Sequence, residues 1–130
     1  MDNQGKKKIL IVDDDSALRK LYSVELTTRN FNVVEAQDGR EGYSKATTEK
    51  PDLILLDVMM PQVDGITLLQ QIRQNDSLKE IPVIMLTNFG QENLIQQAFD
   101  LGATDYLLKY KVTQQEMAEK IIQILTPKTS

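Results

Sequence analysis

The chain has 130 residues, 41% of them hydrophobic and 26% charged, with a net charge of −4. That suits one globular domain with no room for a second, and it argues against a direct nucleic-acid partner. Cysteine and histidine are both absent, which excludes disulfides, thiolate or Ser-His-Asp catalysis, and zinc or haem held by those residues.

Residues 1–7 are expected to be a flexible leader, with the basic run Lys6-Lys7-Lys8 as a solubilising feature. The first apolar run, Ile9–Val12, is cut off by Asp13-Asp14-Asp15, so it is no signal peptide. A helix follows with Leu18, Leu21, Tyr22 and Leu26 on one face, and Asp14, Asp15 or Ser16 available to cap it. Phe31–Val34 is a second strand. Gly39–Lys50 is the weakest helix, offering only Tyr43 and Ala46 as an apolar side. After Pro51 comes a third strand, Leu53–Leu56, ending in Asp57. Pro61 and the turn Asp64-Gly65 precede a helix carrying Ile66, Leu69 and Ile72. Ile81–Leu86, interrupted by Pro82, is the fourth strand and ends in Thr87. Leu94, Ala98 and Leu101 mark a helix closed by Gly102. Tyr106–Leu108 ends in Lys109, and Thr113-Gln-Gln-Glu116 is a capping box opening a last helix with Met117, Ile121, Ile122 and Leu125. The domain is expected to span 8–125, with 126–130 a loose tail. No stretch approaches the roughly 20 apolar residues that cross a bilayer, so the cytoplasm is the default location and no membrane partner is expected.

Continuous short apolar runs are what strands covered on both faces look like. Five of them alternating with helices predict an α/β (βα)5 domain, a doubly wound parallel sheet with helices on both faces. Phe31–Val34 and Tyr106–Leu108 suit the edges, which gives the flavodoxin-like order 2-1-3-4-5. Ligands in such a sheet bind beyond the carboxyl ends of the strands, between strands one and three.

That rule collects Asp13, Asp14 and Asp15 from strand one, Asp57 from strand three, Thr87 from strand four and Lys109 from strand five. Two carboxylates about 4 Å apart repel by roughly 4 kcal/mol at an effective dielectric of 20. Such a pocket calls for a hard, oxygen-ligated cation such as Mg²⁺. A metal-neutralised aspartate beside a lysine is a nucleophile suited to phosphoryl transfer, with Thr87 placed to bond the attached group.

At these residues the sequence resembles the receiver domain of two-component response regulators. The resemblance rests on Ile9–Asp15, Pro51–Gly65, Ile81–Thr87 and Gly102–Lys109 in the family's order and spacing, and covers about Lys8 to Leu125. It implies that Asp57 accepts the phosphoryl group. Asp14, Asp57 and the backbone carbonyl of Met59 would bind Mg²⁺, or Mn²⁺ in its place, with Asp13 acting through water. Lys109 would pair with the phosphoryl group, Thr87 would swing in to bond it, and Tyr106 would follow from outside to inside. The donor would be a phospho-histidine on a sensor histidine kinase or histidine phosphotransfer protein, or a small acyl phosphate. The domain would catalyse its own phosphorylation and slow autodephosphorylation without being a conventional enzyme. With no output segment seen after Leu125, the signal would pass to a protein partner or a homodimer through the face spanning Gln91–Leu125.

Two departures from the family pattern matter. Tyr110 stands where a proline usually follows the lysine through a cis bond, and a non-proline cis bond costs roughly 2.5–4 kcal/mol. A trans bond and an altered loop are therefore expected. Asn88 and Phe89 follow Thr87 where a small residue is common, and with Met59 they predict restricted water access and a long-lived phospho-form.

Three rival readings compete. A flavodoxin-type binding module needs a hydroxyl- and glycine-rich loop after strand one, where three aspartates would repel a phosphate. A phosphatase with an aspartate nucleophile needs an acid two residues on, where Met59 stands. A phosphorylation-independent interaction platform would not need the acceptor residues that are present.

Overall fold

The computed structural model describes residues 5–60, 63–88 and 92–126. Five strands, β1 (Lys8–Val12), β2 (Asn32–Ala36), β3 (Leu53–Asp57), β4 (Val83–Thr87) and β5 (Asp105–Leu108), alternate with five helices. These are α1 (Ser16–Thr28), α2 (Gly39–Glu49), α3 (Gly65–Gln74), α4 (Glu92–Asp100) and α5 (Gln114–Leu125). The strands form one parallel sheet in the order β2-β1-β3-β4-β5, as predicted.

Alternation of side chains along each strand divides the core in two. Leu10, Val12, Ile54, Leu56, Val83 and Met85 face α2, α3 and α4, meeting Ala46, Leu68, Leu69, Ile72 and Ala98. Ile9, Ile11, Leu53, Leu55, Ile84, Leu86 and Leu107 face α1 and α5, meeting Leu18, Tyr22, Leu26, Met117, Ala118 and Ile121. The central strands are therefore apolar throughout because each has two buried faces.

Several local expectations need correction. Lys8, of the basic run, is the first residue of β1, and its ammonium bonds Glu49 at 2.9 Å. Strand β2 begins at Asn32 and runs to Ala36, because Glu35 keeps its place opposite Ile11 at the sheet edge although it ends the apolar run. Ile81 lies before β4: it precedes Pro82, and Val83 is the first residue of the strand. Leu21 and Ile122 are 50% and 38% exposed; at about 100° per residue they fall on the rims of their helical stripes. Asp15, not Asp14 or Ser16, caps α1, accepting from the Leu18 N–H at 3.1 Å. The capping box at Thr113 and Glu116 and the positive φ of Gly102 are as predicted. Pro61 lies outside the described residues, as do 127–130 of the proposed tail. Among the described residues no helix is long and apolar enough to cross a membrane.

Candidate functional site

The carboxyl ends of β1, β3 and β5 carry the site, and strand periodicity explains why it closes. Asp13, Asp57 and Lys109 continue the alternate positions of Ile9 and Ile11, of Leu53 and Leu55, and of Leu107. All three side chains therefore leave the sheet on the α1–α5 side. Asp13, Asp57, Thr87 and Lys109 are the buried polar and charged residues of the described chain.

The ammonium of Lys109 bridges two carboxylates, 3.0 Å from Oδ2 of Asp13 and 3.2 Å from Oδ2 of Asp57. It also donates to Oδ1 of Asp13 at 3.3 Å. Backbone groups hold the acids: the Asp15 N–H donates to Oδ1 of Asp13 at 2.8 Å, and the Met59 N–H to Oδ1 of Asp57 at 3.3 Å. Oxygens of Asp13, Asp14 and Asp57 all lie within 4.8 Å of one another. The geometric condition set by the sequence is met: Asp14 and Asp57 are on the same side of the molecule.

Electrostatics leave this cluster short of positive charge. Burial, then the neighbouring Asp13, push the Asp57 carboxyl up to about 7, against the pull of Lys109 and the Met59 N–H. Burial by itself would lower the Lys109 ammonium, but its contacts with Asp13 and Asp57 outweigh that and hold it above its ordinary value. Oδ2 of Asp13 accepts no hydrogen bond despite the ammonium 3.0 Å away. An orphaned buried carboxylate oxygen next to two further acids fits a hard divalent cation, whose preferred ligands are oxygens.

Thr87 is fully buried, and its hydroxyl donates to the Leu107 carbonyl at 3.5 Å. Tyr106 points outward, 38% exposed, with its ring edge-on to Phe99. Met59 is 55% exposed and Asn88 is also exposed; Phe89 lies outside the described residues. No peptide bond among the described residues is cis, so Lys109-Tyr110 is trans, and Tyr110 takes a left-handed φ of 64°.

Sequence reasoning missed two contributors. Arg19 donates to the Asp13 carbonyl at 2.6 Å and pairs with Glu35 at 3.0 Å, fastening the end of β1 to β2. Its position one turn after the acidic run was the available signal. Tyr110 was noted only as a departure, yet its hydroxyl donates to Oδ2 of Asp15 at 2.5 Å.

Fold and site first define a class: a doubly wound α/β domain with a lysine-bridged acidic pocket at its switch point. Residues 9–122 match the model of the response regulator receiver domain, and the chain belongs to that family, the phospho-accepting signalling domain of response regulators. It is 46% identical over 102 residues to the DNA-binding dual master transcriptional regulator RpaA of Synechocystis, covering 78% of this chain and 42% of that protein. It is 42% identical over 109 residues to the transcriptional regulatory protein ResD of Bacillus subtilis, covering 84% and 44%. The chain thus spans less than half the length of these relatives. The expectation of no nucleic-acid contact is accordingly confined to this domain and does not extend to a longer protein containing it. Among solved structures, the chemotaxis protein CheY4 of Vibrio cholerae superposes with a TM-score of 0.87 at 30% identity, covering 93% of this chain and all of that one. A response regulator from Chloroflexus aurantiacus gives 0.86 at 32% identity, covering 92% and 98%.

Proposed function

We propose that Asp57 is the residue that takes the phosphoryl group, in a Mg²⁺-dependent reaction carried out by this pocket in the cytoplasm. The observation that carries the proposal is the Lys109 ammonium held between Asp13 and Asp57, with Asp14 beside them. An oxygen of Asp57 attacks phosphorus, forming an O–P bond. The bond to the donor breaks, and the leaving group keeps the electron pair. With a phospho-histidine of a sensor kinase or phosphotransfer protein the leaving group is imidazole; with a small acyl phosphate it is a carboxylate.

Asp14, Asp57 and the Met59 carbonyl would hold the cation, with Asp13 acting through water. When bound, the cation offsets charge on the phosphoryl oxygens. Lys109 then turns from Asp57 toward the new phosphoryl group, and Thr87, weakly held at 3.5 Å, is available to bond it. Movement of Thr87 vacates space for Tyr106 to turn inward, which changes the α4–β5–α5 surface that a protein partner or second copy would read. Phosphorylation shifts this equilibrium only by its differential stabilisation of the inward form. Met59, with Asn88 and Phe89, would restrict water and make the phospho-form long-lived.

The test is incubation with acetyl phosphate and Mg²⁺, with intact-mass detection and peptide mapping. Label is expected on Asp57, absent in Asp57→Asn and absent with chelator. Label at another residue, or label that persists in Asp57→Asn, would remove the assignment.

A further inference from the structure

The loop after Lys109 contains a contact that the phosphorylation chemistry does not use. Tyr110 is 70% exposed and its backbone is left-handed, with a φ of 64°. A non-glycine residue in that region costs about 1–3 kcal/mol and persists only where its surroundings hold it there. The phenol donates to Oδ2 of Asp15 at 2.5 Å, 95 residues away in sequence, while Oδ1 of the same carboxylate caps α1 through the Leu18 N–H. The tyrosine ring lies 6.0 Å from the Lys109 ammonium. One carboxylate thus ties the β5–α5 loop to the start of α1, across the pocket that contains Asp13 and Asp57.

We propose that the Tyr110–Asp15 contact is a latch that fixes the backbone leaving β5, and that Tyr110 is thereby a positioning residue for the Lys109 ammonium in phosphoryl transfer. The inference rests on the reading of Asp57 as acceptor. Its physical logic is preorganisation. Lys109 is anchored on one side by its own N–H, bonded to the Thr87 carbonyl at 2.7 Å. On the other side the Lys111 and Val112 N–H groups close the turn onto the Leu108 carbonyl at 3.3 and 3.1 Å, and Tyr110 ties that turn to the start of α1. A proline after Lys109 would fix the backbone through its ring, which locks φ; tyrosine has no such ring and relies on the hydrogen bond. The Tyr110 hydrogen bond is also the largest influence holding the Asp15 carboxyl below its ordinary range.

The experiment compares the whole chain with Tyr110→Phe, Asp15→Ser and the double variant. Phenylalanine keeps the ring and removes the donor. Serine keeps the helix cap and removes the second oxygen. Labelling rates are measured against acetyl phosphate and Mg²⁺ concentration, with thermal midpoints alongside. Each single change is expected to lower the maximal labelling rate about 3–10-fold while half-saturating Mg²⁺ stays constant, the scale of one lost hydrogen bond of ordinary net strength. Tyr110→Phe should then have no further effect once Asp15 is serine, because the latch is already open. Wild-type labelling of Asp57 with an unchanged rate in Tyr110→Phe would overturn the inference and leave the acceptor assignment standing. Effects that multiply in the double variant, or midpoints that fall with no change in rate, would overturn it too. A wild-type chain that takes no label overturns both readings.

Discussion

Lys109 and Asp57, 52 residues apart in sequence, meet at 3.2 Å in a part of the molecule where neither side chain is more than 6% exposed. Their contact is tied to a second one, because the same ammonium also meets Asp13 at 3.0 Å. One buried cation serves two buried anions. Removing it leaves both carboxylates without an ion-pair partner, a situation that costs about 3–5 kcal/mol for a fully buried pair. Lys109→Met should therefore lower the unfolding free energy of the metal-free protein by about 3 kcal/mol, read from urea midpoints at constant slope. Addition of Mg²⁺ should recover part of the loss. A variant as stable as wild type in chelator would show that Lys109 does not carry this electrostatic role.

The raised Asp57 carboxyl makes a pH prediction whose sign is unambiguous. Folded Asp57 titrates near 7, against an ordinary value of 3.8, so between these values the folded chain binds more protons than the unfolded one. Stability from this group is present below about pH 4 and is lost as pH rises through 7. Without divalent cation, the thermal midpoint should fall by several degrees between pH 5.5 and pH 8. Asp57→Asn, which has no charge to bury, should flatten that dependence and raise the midpoint at pH 8 by about 5–10 °C. Saturating Mg²⁺ should do the same for the wild type, since a cation held by the folded pocket alone stabilises the folded state. Identical pH profiles for wild type and Asp57→Asn would rule out the buried-carboxylate account.

Gly65 opens α3 directly against the end of β3. A Cβ there would sit 2.1 Å from the Asp57 carbonyl oxygen, and the Gly65 N–H donates to the Val58 carbonyl at 2.9 Å. Backbone cannot yield as a flexible side chain would. Gly65→Ala should destabilise the fold by about 1–3 kcal/mol and slow labelling of Asp57, because relief of the clash moves the end of β3. Asp64→Ala loses only the α3 cap at the Thr67 N–H, 2.8 Å. It should cost about 1 kcal/mol and leave the labelling rate of the folded protein nearly unchanged. Paired denaturation and labelling curves separate the two, and an alanine at 65 that labelled at the wild-type rate would contradict the argument.

Which of these features could be read from the chain depends on their physical range. Strand order and the acidic pocket were legible because they follow from apolar runs and from the residues that end them. Periodicity carried more than was taken from it, since the spacing of Asp13, Asp57 and Lys109 from their strands already places all three on one side. The end of β2 was not legible: Glu35 interrupts the apolar run, and its pairing opposite Ile11 and its bonds to Arg19 and Lys45 keep it in the sheet. Helix α2 looked weak because two of its buried positions are glycines. A Cβ at Gly42 would meet Val12 at 2.9 Å, so the helix lies close to β1 where a larger side chain would hold it off. The Tyr110–Asp15 bond was out of reach, because it joins two loops whose approach is set by the folded sheet.

Tyr106 and Phe99 set the resting position of the proposed switch. Their rings meet edge to face, with centroids 6.1 Å apart and planes at 86°, an arrangement worth about 0.5–1.5 kcal/mol beyond area burial. Phe99 is on α4 and Tyr106 on β5, so the contact joins the two elements whose surface is proposed to change. It exists only while Tyr106 points outward, and therefore opposes the inward turn. Removing it with Phe99→Ala should raise the inward population of Tyr106 in the unphosphorylated chain about 2–10-fold, the ratio that energy implies. Thr87→Ala should do the reverse after phosphorylation: Asp57 takes label, but Tyr106 stays outside for want of the hydroxyl that moves first. Aromatic NMR shifts of Tyr106, followed with and without acetyl phosphate, read both outcomes. If Phe99→Ala left those shifts unchanged while Thr87→Ala still let the ring turn inward on labelling, the coupling from Thr87 to this surface would have to run through other residues.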